Sequence, residues 1–430
     1  MTEATDIKRF LVVYMKENVS KLIDLQNSFA IETAKAIHTF DKVFGLWLSR
    51  RGGLQQTLDK PIKVKFHIYN WFYRFLITIL IIRLTVVILV DNYYCDLYLA
   101  NPFSGSKEAK KNAMMLYLAL LTMLLYCVRE YTLRLEETGR MKITRLLYIC
   151  ERRGFNAKVL NVNNYRCKQF QKRCHAILIS IFMFMIGLNI ISLFSITYLR
   201  TSQLPVYPTL IHLIFHIIFM ITEFITFALL IINCMCTSAY ILIFLTFYIK
   251  RFNTQIDWIQ KLSSKSSLNN SILSDLNYRL IEVLNDFGQW NDDTKYLFQY
   301  CIIAPSAFAN FCCFVGFVYG FEPDGLTMTM SIIGIFVHIL VTIGCYLGSE
   351  FHYESTKMRN LLCNLYCKLT ANASTEVRLK SMEILDRLAS RVIGAHAGDF
   401  GIFYRSTCVI VFLENASFIM LLSCNARSFI

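Results

Sequence analysis

Apolar runs of about 20 residues, the length that crosses a bilayer core, alternate with longer polar stretches along this chain. They cover Ile68–Val90, broken by Arg74 and Arg83, then Ala113–Tyr131, His175–Tyr198, Leu210–Ile249, Tyr296–Phe321, Thr327–Ser349 and Phe400–Cys424. The fourth run is too long for one perpendicular crossing. Forty helical residues reach about 60 Å against a hydrocarbon core of about 30 Å. No Pro or Gly interrupts the sequence between Thr209 and Asn285, so a single helix that leaves the bilayer is predicted. The turn Glu322-Pro323-Asp324-Gly325 joins runs five and six.

Two polar stretches keep a helical period. Leu276, Leu280, Ile281, Leu284 and Phe287 form one stripe, and Leu361, Leu362, Leu365, Leu369, Val377, Leu379, Ile384, Leu385, Leu388 and Val392 another. Amphipathic helices here are expected to pack beneath the membrane. The organisation expected is a segment 1–67, six transmembrane helices within 68–349, an anchor-like helical segment 350–399, a last helix over 400–424 and a tail 425–430.

Composition supports this all-α, polytopic reading. The 430 residues are 55% hydrophobic and only 17% charged, too little charge to cover a soluble globule. The net charge of +14 comes from Lys and Arg between the apolar runs, not from a basic domain of the kind that binds nucleic acid. Their placement sets the orientation. Segments 1–67, 132–174, 250–296 and 350–399 hold 35 of the 44, whereas 91–112, 199–210, 321–326 and 425–430 hold 5. The positive-inside rule puts the N-terminus in the cytoplasm and the C-terminus outside, with Asn18, Asn269 and Asn372 of the Asn-x-Ser sequons on the cytoplasmic side. A G-protein-coupled receptor has the opposite orientation. The 15 cysteines sit mostly in apolar runs and form no paired framework.

Seven crossings with the N-terminus inside, an overlong fourth helix, helical cytoplasmic segments and a crossing close to the C-terminus resemble the insect gustatory and odorant receptor superfamily. The stretch Leu280-Ile-Glu-Val-Leu-Asn-Asp-Phe-Gly288 is similar to its helical stripe before the fifth span, and Ala397-Gly398-Asp399-Phe400 to the small-Gly-x-Phe start of its last. Its sharpest motif, Thr-Tyr, five apolar residues and Gln-Phe, corresponds here to Ser417-Phe418 and, at the other end, Cys424-Asn425. The resemblance implies a tetrameric, ligand-gated, non-selective cation channel in the plasma membrane. It further implies a central pore of last spans, a small organic ligand bound in the outer half of each bundle, and no cofactor or enzymatic activity.

Residues can be set against those implications. Glu414, Ser417, Phe418, Leu421 and Asn425 share one face of the last helix. They are candidate pore-lining residues, Glu414 attracting cations and Leu421 narrowing the path. The alternative for Glu414 is a buried pair with Arg405 or Arg83, and Glu223 is open to the same pairing with Arg83. The candidate ligand pocket gathers Phe194, Tyr198, Tyr207, His212, Phe215, His216, Phe314, Phe317 and Tyr319, aromatic walls with a few polar groups. His212 and His216 lack a neighbouring carboxylate or Cys, so no metal is expected. Gly344 and Gly348 have the spacing of a helix-packing contact. Cys363 and Cys367, at i, i+4, are expected in a core. No Gly-rich phosphate loop or H-E-x-x-H motif is present. Two other functions remain in view: a non-conducting partner subunit of the same fold, and a secondary transporter, for which no inverted halves are seen.

Overall fold

The structure is a computed structural model and describes residues 29–46, 68–90, 92–101, 108–201, 209–264, 269–319, 324–367, 374–389, 393–399 and 401–428. Helices dominate the described residues. In chain order they are α1 (Phe29–Leu46), α2 (Ile68–Leu89), α3 (Tyr93–Tyr98), α4 (Glu108–Glu137), α5 (Lys142–Arg153), α6 (Ala157–Leu160), α7 (Asn164–Thr201) and α8 (Leu210–Ser263). There follow α9 (Asn270–Phe314), which ends in a π-turn Val315–Tyr319, then α10 (Asp324–Cys367), α11 (Thr375–Ala389) and α12 (Arg405–Ser428). Among the described residues the extended pairing is a single bridge between His396 and Ile402.

Six of these helices, α2, α4, α7, α8, α9 and α10, are long and apolar enough to cross a membrane. Their burial is inverted relative to a water-soluble helix. On the first turns of α8, Ile211, Ile214, Ile218, Ile221 and Ile225 are exposed at alternating three- and four-residue steps, while His212, His216 and Glu223 are buried. On α2, Trp71, Phe72, Phe75, Ile82 and Leu89 are exposed and Arg83 is buried. Apolar residues outward and charge inward is the arrangement that a hydrocarbon solvent selects.

The fourth apolar run is one uninterrupted helix of 54 residues, about 80 Å long at 1.5 Å per residue. Its far half is buried almost all round from Ala228 to Phe252. A helix apolar on every side belongs at the centre of a bundle, and α7, α9 and α10 surround it. Here Phe244, Tyr248, Phe252, Phe287, Trp290 and Phe351 form one aromatic core, with Phe287 stacked on Phe351 at 4.3 Å. Arg166 on α7 grips Asp257 on α8 through two hydrogen bonds of 2.9 Å.

Several sequence boundaries move. The stripe at Leu276–Phe287 and the fifth apolar run are one 45-residue helix, α9. The 350–399 segment begins inside α10, and only α11 is separate. Helices α7 and α10 likewise outrun their apolar segments, because favourable helix packing at the polar end extends them past the point where hydropathy falls. Gly348 meets Phe298, where a Cβ would lie 2.9 Å from Cζ, but Gly344 faces open space. The expected small-residue contact is therefore made by Gly348. Cys363 is half-buried and Cys367 exposed, so the expected core position fails for Cys367, which lies at the last turn of α10. The sequons at Asn18 and Asn372 and the helical period near the N-terminus lie outside the described residues.

Candidate functional site

A cavity of about 160 Å³ lies inside the bundle between α4, α7, α8, α9 and α10. Its walls are Leu118, Leu121 and Leu125, then Leu188 and Ile196, then Phe227, Ile231 and Met235, then Pro305, Phe308 and Phe311, and finally Met330 and Val337. The α7 residues Leu188, Ser192 and Ser195 reach it because i, i+4 and i+7 share a face. Pro305 sits within α9, its missing N–H loosening the helix beside the cavity.

One end is polar. There Arg200 and Glu223 form the wall, part of a buried triad with Arg83. The Arg83 Nη1 donates to Glu223 Oε1 at 2.6 Å, and Arg200 donates Nη2 to Oε1 at 2.5 Å and Nε to Oε2 at 3.1 Å. Both guanidiniums also hold the turn after α3. Arg83 donates to the Leu99 and Ala100 carbonyls at 2.7 and 2.9 Å, and Arg200 to the Ala100 carbonyl. Ala100 has φ of +48°, a left-handed conformation unfavourable for a residue with a Cβ. The two arginines that cap its carbonyl account for its persistence. His216 Nε2 contacts the Arg200 carbonyl at 3.0 Å. The sequence-derived pairing of Glu223 with Arg83 is present, and Arg200 joins it.

The predicted pocket residues lie elsewhere. Phe194 and Tyr198 occupy the exposed face of α7. His212 packs on Tyr98 at 4.6 Å and Phe215 meets the same ring at 6.1 Å, under the short helix α3. His216 supports Arg200 from outside the cavity, Phe314 packs against the core, and Phe317 is exposed. Tyr207 and the Tyr319 side chain lie outside the described residues. None of the others lines the cavity. Nearness to the helix ends does not fix the rotation of each helix. Ser192 and Ser195, one residue or two from Phe194, point inward instead.

A second polar group gathers on the flank of α12. A groove between α4, α9 and α12 is lined by Tyr117, Ser306, Asn310, Glu414, Asn415 and Phe418. Asn310 donates to the Asn415 Oδ1 at 2.8 Å, and Asn415 to the Val411 carbonyl at 2.7 Å. Among the described residues, the buried Ser306 Oγ and Asn310 Oδ1 have no hydrogen-bond partner. Glu414 makes no ion pair among the described residues. Arg83 is taken by Glu223, and Arg405 stacks over Tyr353 at 4.3 Å. Glu414, Ser417, Phe418 and Leu421 are exposed, and the Asn425 side chain is outside the described residues.

The segment before α12 is clamped to α9. Gly398 N donates to the Lys295 carbonyl at 2.8 Å, His396 N to Asn291 Oδ1 at 2.9 Å, and Lys295 Nζ reaches Asp399 at 3.2 Å. Hydrogen bonds from Lys295 and Tyr296 hold the Asp399 carboxyl below the ordinary aspartate range. Gly398 has φ of +55°, a left-handed conformation that favours glycine, and a Cβ there would push the Gln299 side chain aside.

By sequence the chain matches no protein-family model, and a comparison with curated proteins finds no match. Solved structures are decisive for the fold. The chain superposes on the insect olfactory receptor OR5 from Machilis hrabei, solved in complex with eugenol, with a TM-score of 0.59 over 94% of this chain and 100% of that one. The fold is that of an insect olfactory receptor. Identity is only 14%, so the likeness is one of architecture, carried by helix order and packing rather than by matched side chains. It agrees with the superfamily that the Leu280–Gly288 and Ala397–Phe400 segments resemble.

Proposed function

We propose that this chain is a chemosensory receptor subunit of the insect gustatory and odorant type, a ligand-gated, non-selective cation channel in the plasma membrane. Helix α12 supplies the seventh crossing, the N-terminus is cytoplasmic and the C-terminus extracellular. Four copies surround one pore, and the internal cavity takes a small organic ligand. The fold likeness over 94% of the chain supports the class. One observation carries the channel reading within it: α12 leaves Glu414, Ser417 and Leu421 exposed, with Glu414 at the groove beside α4 and α9. A carboxylate at bilayer depth costs about 2.5–3.5 kcal/mol unless protein or water receives it, and a water-filled pore between copies is such a place.

Ligand binding opens the channel by favouring the open arrangement, and the clamp at Gly398 and Asp399 transmits the change from α9 to α12. Whole-cell recording from cells expressing this chain, after confirmed surface delivery, is the test. Ligand-evoked, weakly selective cation current is the expected result. Silence with the chain at the surface, alone and with related subunits, overturns it. A non-conducting partner subunit is the second reading. It is favoured by Cys424-Asn425 standing where the superfamily has Gln-Phe. Current only on co-expression selects the partner role.

A further inference from the structure

The groove beside α12 sets one charged group against apolar walls. Glu414 lines it together with Leu120 and Leu124 of α4, Ile302 and Ile303 of α9, and Phe418 of α12. Among the described residues the Glu414 carboxylate has no ion-pair or hydrogen-bond partner. Two hydrogen bonds between helices frame the groove. Tyr117 Oη donates to the Ala307 carbonyl at 2.6 Å, tying α4 to α9, and Asn310 Nδ2 donates to Asn415 Oδ1 at 2.8 Å, tying α9 to α12. The Asn310 amide therefore reaches across from α9 to α12. Asn310 is 5% exposed, and its Oδ1 has no partner among the described residues. The Ser306 hydroxyl, one turn away on the same helix, is in the same position.

A carboxylate and an amide oxygen are acceptors, so the group that satisfies both is a donor with positive charge. A metal ion fits poorly. Hard cations take six or more oxygen ligands, and the described residues hold no cluster of His, Cys, Asp and Glu able to bind one. We propose that the groove binds a small arylalkyl ammonium, its N–H groups on Glu414 and Asn310 and its ring against the leucine and isoleucine walls. Phe418, at i+4 from Glu414, shares its face of α12 and offers an aromatic ring to the cation. The volume of about 490 Å³ lies within the range of about 300–1,000 Å³ for small-ligand sites. Glu414 stands near the middle of the 24 residues of α12. With α12 crossing the bilayer as proposed above, a lipid headgroup does not reach that depth. The inference rests on that crossing and not on conduction, and the groove is a site separate from the internal cavity.

2-Phenylethylamine and the neutral 2-phenylethanol are the probes. The readout is the ligand-dependent rise in melting temperature of the purified full chain in lipid nanodiscs, which needs no current. The amine is expected to bind at least about tenfold more tightly than the alcohol, the ratio for one charge-assisted hydrogen bond. Glu414→Gln is expected to bring the two affinities together. Ile303→Trp fills the groove from α9 without touching the carboxylate and is expected to abolish binding of both. Both substitutions are at exposed positions, where folding is little affected. Equal affinities in the natural chain, an amine preference that survives Glu414→Gln, or amine binding undiminished by Ile303→Trp overturns the proposal. Amine binding by a chain that passes no current leaves this inference standing and counts against the channel reading. Ligand-evoked current with equal affinities for the two probes does the reverse.

Discussion

Two polar groups lie among the crossing helices, and they are built on opposite plans. Around Glu223 every carboxylate oxygen is met by a guanidinium, the residues are buried, and the arginines reach on to backbone carbonyls. Around Glu414 the carboxylate has no ion-pair partner among the described residues, and the neighbouring Ser306 Oγ and Asn310 Oδ1 are unsatisfied. Both acids fall in apolar runs, so hydropathy treats them alike. The difference is what each faces. Glu223 is turned into its own bundle, where a partner must be supplied within the chain. Glu414 is exposed at the groove beside α4 and α9, and on the channel reading proposed above a second copy or a water-filled path supplies its partner. The first group holds a fold together, and the second is a surface awaiting its surroundings.

Glu223→Gln attacks the closed group and has the largest expected effect. It removes the carboxylate with which both buried guanidiniums pair, a loss of about 3–5 kcal/mol for a broken buried pair. A much lower melting temperature and poor surface delivery are expected. An unchanged melting temperature would mean that the triad is solvated and the contrast with Glu414 false.

Gly398→Ala comes next. The φ of +55° becomes strained and the Gln299 side chain must swing aside, the strain costing about 1–3 kcal/mol. Because this loop joins α12 to α9, ligand binding measured by thermal shift is expected to persist while current falls. Parallel loss of both would show that the clamp serves stability alone.

Glu414→Gln is expected to leave the melting temperature of the single chain nearly unchanged, within about 0.5 kcal/mol for an exposed position. Its effect belongs to ion selectivity, read as reduced divalent permeation. Lower surface expression with selectivity unaltered would place Glu414 in a buried contact after all.

The smallest effect is at Asp399. Hydrogen bonding in the folded chain depresses its carboxyl, so the stabilisation is present above the ordinary aspartate range and lost as pH falls through the depressed value. The group is exposed, so solvent screening keeps the change small. Acid titration of the melting temperature in the natural chain and in Asp399→Asn should diverge only in this acid range, the natural chain losing its advantage there.

By itself the sequence determined the elements and their environment. Runs of apolar residues longer than any soluble helix requires, few charges, and the absence of Pro and Gly from Thr209 to Asn285 left α8 one helix before any packing was known. The pairing of Glu223 with Arg83 was legible too, because an acid in an apolar run demands a base at similar depth. The tertiary structure decided the rest: the rotation of each helix about its own axis, which brings Ser192 and Ser195 to the cavity and leaves Phe194 and Tyr198 outside, and the inclusion of Arg200, which sequence alone counts as a loop charge. Rotation is set by contacts among five helices far apart in the chain. In lipid an apolar residue is at home facing either way, so hydropathy says how deep a residue lies but not which way it points.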